Sequence, residues 1–369
     1  MYIQNIELTD FRNYTTLSLE LHEKVNIFLG DNAQGKTNLL EAIYLSSFAK
    51  SFRTSKDTEM IRFNRDFSKI KIRAIKDAEP IEIEIVITKK GKGIKLDGVK
   101  LKKTSELLEN IYTVVFSPED LKIVKDEPER RRKFINTELC QLSPSYYINL
   151  SNYKKILKQR NILLKDIKQN KVSPEMESTL FVWNEKLSEY GSKIMLQRYE
   201  FIEKLKVISL KLHENITNYN ESLEVTYEPK VKFFHDFASQ QEEFKKVLQA
   251  SLSSDIKNGS TGFGPHKDDI ALCVNGVDIR KFGSQGQQRT AALSLKLAEI
   301  RLIKEETGED AVLLLDDVMS ELDSTRQNFL INSLGDVQLF ITTTELSDEV
   351  RYALPPGKTF YVRSGSIEV

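Results

Sequence analysis

The chain has 369 residues and carries 54 Lys plus Arg against 54 Asp plus Glu, so no net field steers it toward a polyanion and any such contact must come from local clustering. Its length exceeds the usual single-domain range and predicts a large core with a second domain or a sizeable insertion. Two cysteines, Cys140 and Cys273, without metal-ligand spacing argue against a disulfide or zinc framework, and no apolar run reaches membrane-spanning length, so a cytoplasmic protein with no membrane partner is expected.

The opening segment MYIQNIELTDFRNYTTLSLEL alternates like a β-hairpin and lacks the basic and apolar regions of a leader. KVNIFL, residues 24–29, reads as a buried strand, and NLLEAIYLSSFAK, from Asn38, as the helix that follows it. Between them GDNAQGKT fits G-x-x-x-x-G-K-T in the strand-to-helix setting where that motif works. Gly30 and Gly35 let the backbone of Asp31, Asn32, Ala33 and Gln34 wrap a phosphate, and the helix start at Asn38 adds amide donors. Lys36 balances the β/γ charge and Thr37 is placed to ligate Mg²⁺. Nucleotide binding is therefore expected.

From residue 50 to residue 103 there are 16 basic against 8 acidic side chains. That excess is the footprint of a phosphate-backbone partner or else a solvated strand face, and composition does not choose between them. The alternation in KIKIRAI and IEIEIVI, with turn signals at Gly91, Gly93 and Asp97-Gly98, predicts antiparallel hairpins. After SPEDLKIVKDEPERRRKF the pattern becomes helical. Leu150, Tyr153, Leu157, Leu164 and Ile167 form one heptad-like seam, and Leu180, Leu187, Tyr190, Ile194, Phe201, Ile208 and Leu212 form a second. With KQNKVSPEM as the turn between them, the two runs predict an antiparallel helical arm, two ordinary core helices being the alternative.

Beyond NGSTGFGPHKDDI, the segment IALCVNGVDI predicts a hairpin turning at Asn275-Gly276, and SQGQQRT, residues 284–290, a polar turn opening a long helix. In GPHKDD, His266, Lys267 and Asp269 suit a polar network at a subunit face or a turn rich in capping residues. No second ligand has the spacing to make His266 a metal site. VLLLDD and VQLFITTT read as buried strands of a parallel sheet. Paired with the P-loop, Asp316 is placed to hold Mg²⁺ through water and Asp317 to orient or deprotonate the attacking water. The expected division is an N-terminal half of an α/β domain over residues 1–125, a helical lobe over 126–258, and the C-terminal half over 259–369.

A P-loop, a Ser-x-Gly turn opening a helix, a strand ending in two carboxylates and an immediate SELD occur in that order in ATP-binding-cassette ATPases. Through LTDFRNY, GDNAQGKTNLLEAIY, FSPEDLKIVK, PERRRKFIN, GPHKDDI, SQGQQRT, LLLDDVMSELD and FITTT, spread over essentially the whole chain, the sequence resembles the RecF family, bacterial DNA replication and repair proteins grouped with SMC-type heads. The resemblance implies an α/β ABC-type ATPase head, a mixed sheet with helices and an antiparallel β layer, carrying an inserted helical arm and using ATP with Mg²⁺. It implies that Ser284, Gly286 and Gln287 contact the γ-phosphate bound by the opposite subunit, so that ATP joins a homodimer, and that Arg12 and Asn13 lie near the nucleotide. It further implies DNA as a partner, single-stranded and at gapped or duplex junctions, with the mediators RecR and RecO acting so that RecA loads at single-strand gaps, and a place in the SOS response. Candidate DNA contacts are Lys50, Arg53, Lys56, Arg130, Arg131 and Arg132.

Two departures from the wider ABC pattern stand out. Thr344 falls where a switch histidine is usual, and FSPED replaces a glutamine loop, leaving Glu119 or Asp120 to approach the metal. With Asp317 where Glu is usual, slow, DNA-stimulated hydrolysis is expected. A transporter subunit would keep the histidine and the glutamine and lack the arm.

Overall fold

The computed structural model describes residues 1–170 and 173–368. The chain forms two compact units, one from Met1–Lys122, Lys211–Asn220 and Gln288–Val369, the other from Ile123–Leu210 and Glu221–Gln287.

The first unit holds two six-stranded sheets. In one, Thr113–Phe116, Val312–Asp316, Leu339–Thr343, Val25–Leu29 and Gly357–Arg363 run parallel, and Ser366–Glu368 closes the edge antiparallel. VLLLD and LFITT are buried at every position, which is why they read as unbroken apolar runs rather than alternating ones. Register pairs Asp316 with Thr342 and Thr343 with Leu29, so three strands end at one level.

The second sheet is an antiparallel meander that includes Tyr2–Phe11, Phe67–Lys76, Glu79–Thr88 and Gly91–Leu96. Its alternation puts Ile70, Ile72, Ile83, Ile85 and Ile87 on the buried face. Between the sheets lies helix Lys36–Phe48, packed on strands of both. Burial on all sides explains why this helix has no polar stripe. On the outer face of the meander the basic residues meet carboxylates across strands: Lys69 with Glu84 at 2.6 Å, Lys71 and Arg73 with Glu82 at 3.1 and 3.0 Å, Lys95 with Glu84 at 3.0 Å. On this face four cations thus share two carboxylates in a cross-strand ladder.

The second unit joins a three-stranded antiparallel sheet, Val277–Asp278, Asp269–Val274 and Leu223–Glu228, to helices. The hairpin turns at Asn275 and Gly276, φ 50° and 80°, where the sequence placed it. Helices Pro144–Gln169 and Pro174–Ile216 form the expected pair, with the seam residues Leu150, Tyr153, Leu164, Ile167, Leu180, Leu187, Ile194 and Phe201 buried. Lys171 and Val172 of the expected turn lie outside the described residues.

The pair is not a bare arm. Leu252 and Ile256, on helix Leu252–Asn258, pack on the Leu164, Ile167, Leu180 cluster. Phe244, on helix Phe237–Ala250, comes so close to Gly191 that a Cβ there would strike its ring. The unit also extends past the expected boundary at 258 to Gln287, because Asp268, Asp269 and Arg280 are tied into its interior. Their partners were invisible to a reading based on helical periodicity.

That interior is ionic. Arg131, taken from the sequence as a DNA contact, is buried: it donates to both Asp269 oxygens at 2.7 and 2.9 Å and to the Asp126 carbonyl at 2.6 Å. Arg132 donates to the Asp268 carbonyl at 2.7 Å, and burial, with Arg198 nearby, lowers its pKa. Arg130 is half-buried and pairs with Asp126 at 2.7 Å. Arg198 bonds Tyr146, Asn136 and the Pro265 carbonyl at 3.0, 2.9 and 2.6 Å. Arg160 joins Asp255 at 2.8 Å and Thr261 at 2.7 Å. His266 sits between the Tyr153 hydroxyl at 2.7 Å and the Thr261 carbonyl at 3.0 Å. GPHKDD is therefore part of an internal network of this unit.

Two measurements test this interior. Arg131→Met leaves Asp269 with fewer partners and is expected to cost about 3–5 kcal/mol in denaturant unfolding, while DNA affinity per folded molecule stays unchanged; lost DNA affinity at unchanged stability would restore its surface role. Burial lowers the His266 pKa from 6.5 to about 4. The unfolded chain therefore binds the proton more readily, and stability falls as pH drops from 6.5 toward 4, by about 3 kcal/mol at the low end. His266→Gln should remove that share of the pH slope.

Candidate nucleotide site

Glycines set the shape of the loop between Leu29 and Lys36. Gly35 has φ 119°, and a Cβ there would lie 2.5 Å from Asn13 Nδ2; a Cβ on Gly30 would strike the Val362 carbonyl oxygen. Residues 31–38, with Arg53 and Asp317, line a cavity of about 330 Å³. Lys36 is buried beneath it, its Nζ donating to the carbonyls of Gly30 at 2.5 Å and Asp31 at 3.2 Å, with Asp317 Oδ1 at 4.0 Å.

The opposite wall comes from the strand ends. Thr37 Oγ1 donates to Asp316 Oδ1 at 2.8 Å, and Thr342 Oγ1 donates to the same oxygen at 2.9 Å. A hydroxyl and a carboxylate are hard-oxygen donors of the kind that hold Mg²⁺ beside phosphates, so these residues fit the ion. Asp317 follows with φ 53°, its N–H donating to the Thr342 carbonyl and to Thr342 Oγ1, both at 3.1 Å. Its carboxyl is 37 % exposed. Burial raises its pKa, Lys36 opposing and Asp316 adding to the effect.

Thr342 was missed by the sequence reading, which weighed Thr344 instead. Thr344 is exposed, whereas Thr342 faces the carboxylates, and only the strand register separates them. Glu119 pairs with Lys122 at 2.8 Å, and Asp120 accepts from the Ser117 N–H at 2.8 Å; neither lines the cavity.

Asn13 holds the P-loop, donating to the Gln34 carbonyl at 2.8 Å and accepting from Asn38 at 2.9 Å. Arg12 is turned away from this cavity: with φ 52°, it grips buried Glu41 at 2.8 and 2.6 Å. Arg12 and Asn13 line a second cavity of about 670 Å³ with Arg62, Phe63, Asn64 and Arg65. Arg53, a DNA candidate from the sequence, lines the P-loop cavity and donates to Asn38 Oδ1 at 2.6 Å. A loop arginine gave no sequence signal of that placement. Lys50 is exposed and Lys56 lies 3.7 Å from Glu59, neither lining the cavity.

The Ser284 turn belongs to the second unit as far as Gln287. Ser284 Oγ accepts the Gln287 N–H at 3.2 Å, and Gln287 Oε1 accepts the Ser284 N–H at 3.0 Å, a reciprocal cap on helix Gln285–Thr307. Gln287 Nε2 also donates to Glu221 at 2.9 Å, which rigidifies the turn. Ser284 is exposed and Gly286 half-buried. In the first unit, Arg289 donates to the Glu321 carbonyl at 2.8 Å and Arg326 to Thr290 at 2.7 Å, tying the helix to the SELD segment.

Among the described residues, no helix is long and apolar enough to cross a membrane. The family model for the RecF/RecN/SMC N-terminal domain matches residues 2–351. A DNA replication and repair protein RecF from Clostridium novyi is 45% identical over 368 residues, covering 100% of this chain and 99% of that protein. Its namesake from Lachnospira eligens is 47% identical with the same coverage. A structure described as the recombination mediator protein RecF-ATPrS in the RecFOR pathway superposes with a TM-score of 0.92 at 41% identity, covering 100% of this chain and 97% of that one. An Smc head domain from Pyrococcus furiosus, with a TM-score of 0.55 at 15% identity, shares the fold. The α/β ABC-type ATPase head described above is thus the fold of its relatives, and the chain belongs to the RecF family of DNA replication and repair proteins.

Proposed function

We propose that the protein is an ATP-dependent, DNA-binding ATPase of recombinational repair and replication recovery, in which ATP joins two copies and slow hydrolysis parts them. The observation that carries this reading is the cavity between the P-loop and the strand ends, where Lys36, Thr37, Asp316 and Asp317 converge. Lys36 and the loop amides bind the phosphates, Thr37 and Asp316 are the residues to hold Mg²⁺, and the ion when bound neutralises charge on the β- and γ-phosphates. Asp317 is the group to orient and deprotonate water, and a raised pKa suits a base. Its short side chain and left-handed backbone restrict its reach, in keeping with slow turnover. Asn13, which lines the second cavity, bonds Gln34 and Asn38 of the first, and the second cavity has room for the nucleoside.

The Ser284 turn serves the partner copy. Its hydroxyl and the helix N-terminus, with no side chain at Gly286, form a second anion site that a triphosphate bridges and a diphosphate does not. DNA contact is mainly to phosphates, with Lys50, Lys56 and Arg130 the remaining candidates, so affinity should fall steeply with salt. RecR with RecO is the expected mediator, leading to RecA loading at single-strand gaps.

Solution mass, measured with Mg-ATP and with Mg-ADP, tests the central step. Doubling with ATP alone, lost in Ser284→Arg, supports it; ATP binding by a particle that stays monomeric even on DNA refutes it. Asp317→Asn should keep ATP binding, lower turnover by about 10²-fold or more, and prolong the ATP dimer.

A further inference from the structure

The loop that binds phosphate is itself held by the chain's last hairpin. Strand Gly357–Arg363 runs parallel to the P-loop strand, with Tyr361 opposite Leu29, so its turn arrives where the P-loop departs. At that turn Ser364 and Gly365 have φ 48° and 77°. The Ser364 N–H donates to Gln34 Oε1 at 2.6 Å, and its hydroxyl lies 3.3 Å from the same oxygen. The Gly365 N–H donates to the Gln34 carbonyl at 3.0 Å, the oxygen that also accepts from Asn13.

Clearances make the fit close. A Cβ on Gly365 would lie 2.6 Å from the Asn13 carbonyl oxygen, and Gly30 has no room for one against Val362. Gln34 sits between Ala33 at φ 64° and Gly35 at φ 119°, with a left-handed residue on either side of it. Such a loop, unanchored, has many other conformations to sample. We propose that the turn at Ser364 and Gly365 is a latch that holds the P-loop in its anion-binding shape, with Gln34 as the positioning residue through which it acts. Gln34 thus has two roles on separate groups: its backbone faces the phosphates and its side chain is the latch's keeper. Nucleotide affinity is set in part by a segment some 330 residues from the motif.

The proposal rests on the nucleotide reading of the cavity, and wild-type binding of a fluorescent ATP analogue decides that reading by itself. Given binding, affinity and melting temperature are measured for Gln34→Met, which removes the acceptor at similar volume, for Gly365→Ala, which drives the turn off Asn13, and for the double variant. Loss of one such bond predicts Kd about five- to tenfold weaker in each single variant. If both act through one latch, the double variant is no weaker than the worse single. Melting temperature is expected to stay within a few degrees for Gln34→Met, which keeps the test alive should Gly365→Ala fail to fold. Kd within twofold of wild type in Gln34→Met, or fully multiplicative losses in the double variant, would overturn the latch.

Discussion

One carboxylate organises the candidate nucleotide site. Asp316 ends a buried strand, and its Oδ1 receives hydroxyl hydrogens from Thr37 and Thr342, residues from three different parts of the chain. The parallel sheet brings them together: adjacent strands in the order Val25–Leu29, Leu339–Thr343, Val312–Asp316 must end on the same edge. Everything chemical follows from that edge, because the P-loop leaves one strand there and Asp317 leaves another. A buried carboxylate with two fixed donors is oriented before any ligand arrives, which is the condition for electrostatic stabilisation without reorganisation.

The second unit is built on a different principle. Its interior relies on guanidinium–carboxylate pairs, with Arg131, Arg160 and Arg198 almost fully buried against Asp269, Asp255 and Asp268. Such pairs add little net stability over an apolar core, but they penalise any arrangement that separates them. Burial raises the Asp268 pKa while Arg198 opposes the rise. A unit that presents the Ser284 turn gains a single, rigid geometry from this, with Gln287 tied to Glu221 in the same body.

Features carried by local sequence were legible. The P-loop, the two carboxylates, the hairpins at Asp97-Gly98 and Asn275-Gly276, and the paired long helices each have a spacing or a turn residue that specifies them. Features set by what a side chain meets across the fold were not. The ERRRK run looked like exposed charge, yet a helix one hundred degrees further round per residue turns Arg131 inward while Arg130 stays at the surface. Arg53 and Thr342 gave no signal because their partners lie on other elements, the helix Lys36–Phe48 for Arg53 and the strand Val312–Asp316 for Thr342. The Ser284 turn shows the limit most plainly, since a reciprocal helix cap and half of a shared anion site require the same residues, and their intramolecular bonds do not separate the two.

The most direct measurement is the dependence of ATP affinity on Mg²⁺, by calorimetry, in the wild-type protein and in Asp316→Asn. The account predicts that Mg²⁺ tightens ATP binding in the wild type and that the substitution removes most of that gain while leaving metal-free binding, which rests on Lys36 and the loop, nearly intact. Equal Mg²⁺ dependence in the two proteins would contradict it, and would mean that the Thr37–Asp316–Thr342 cluster is only a strand-end contact.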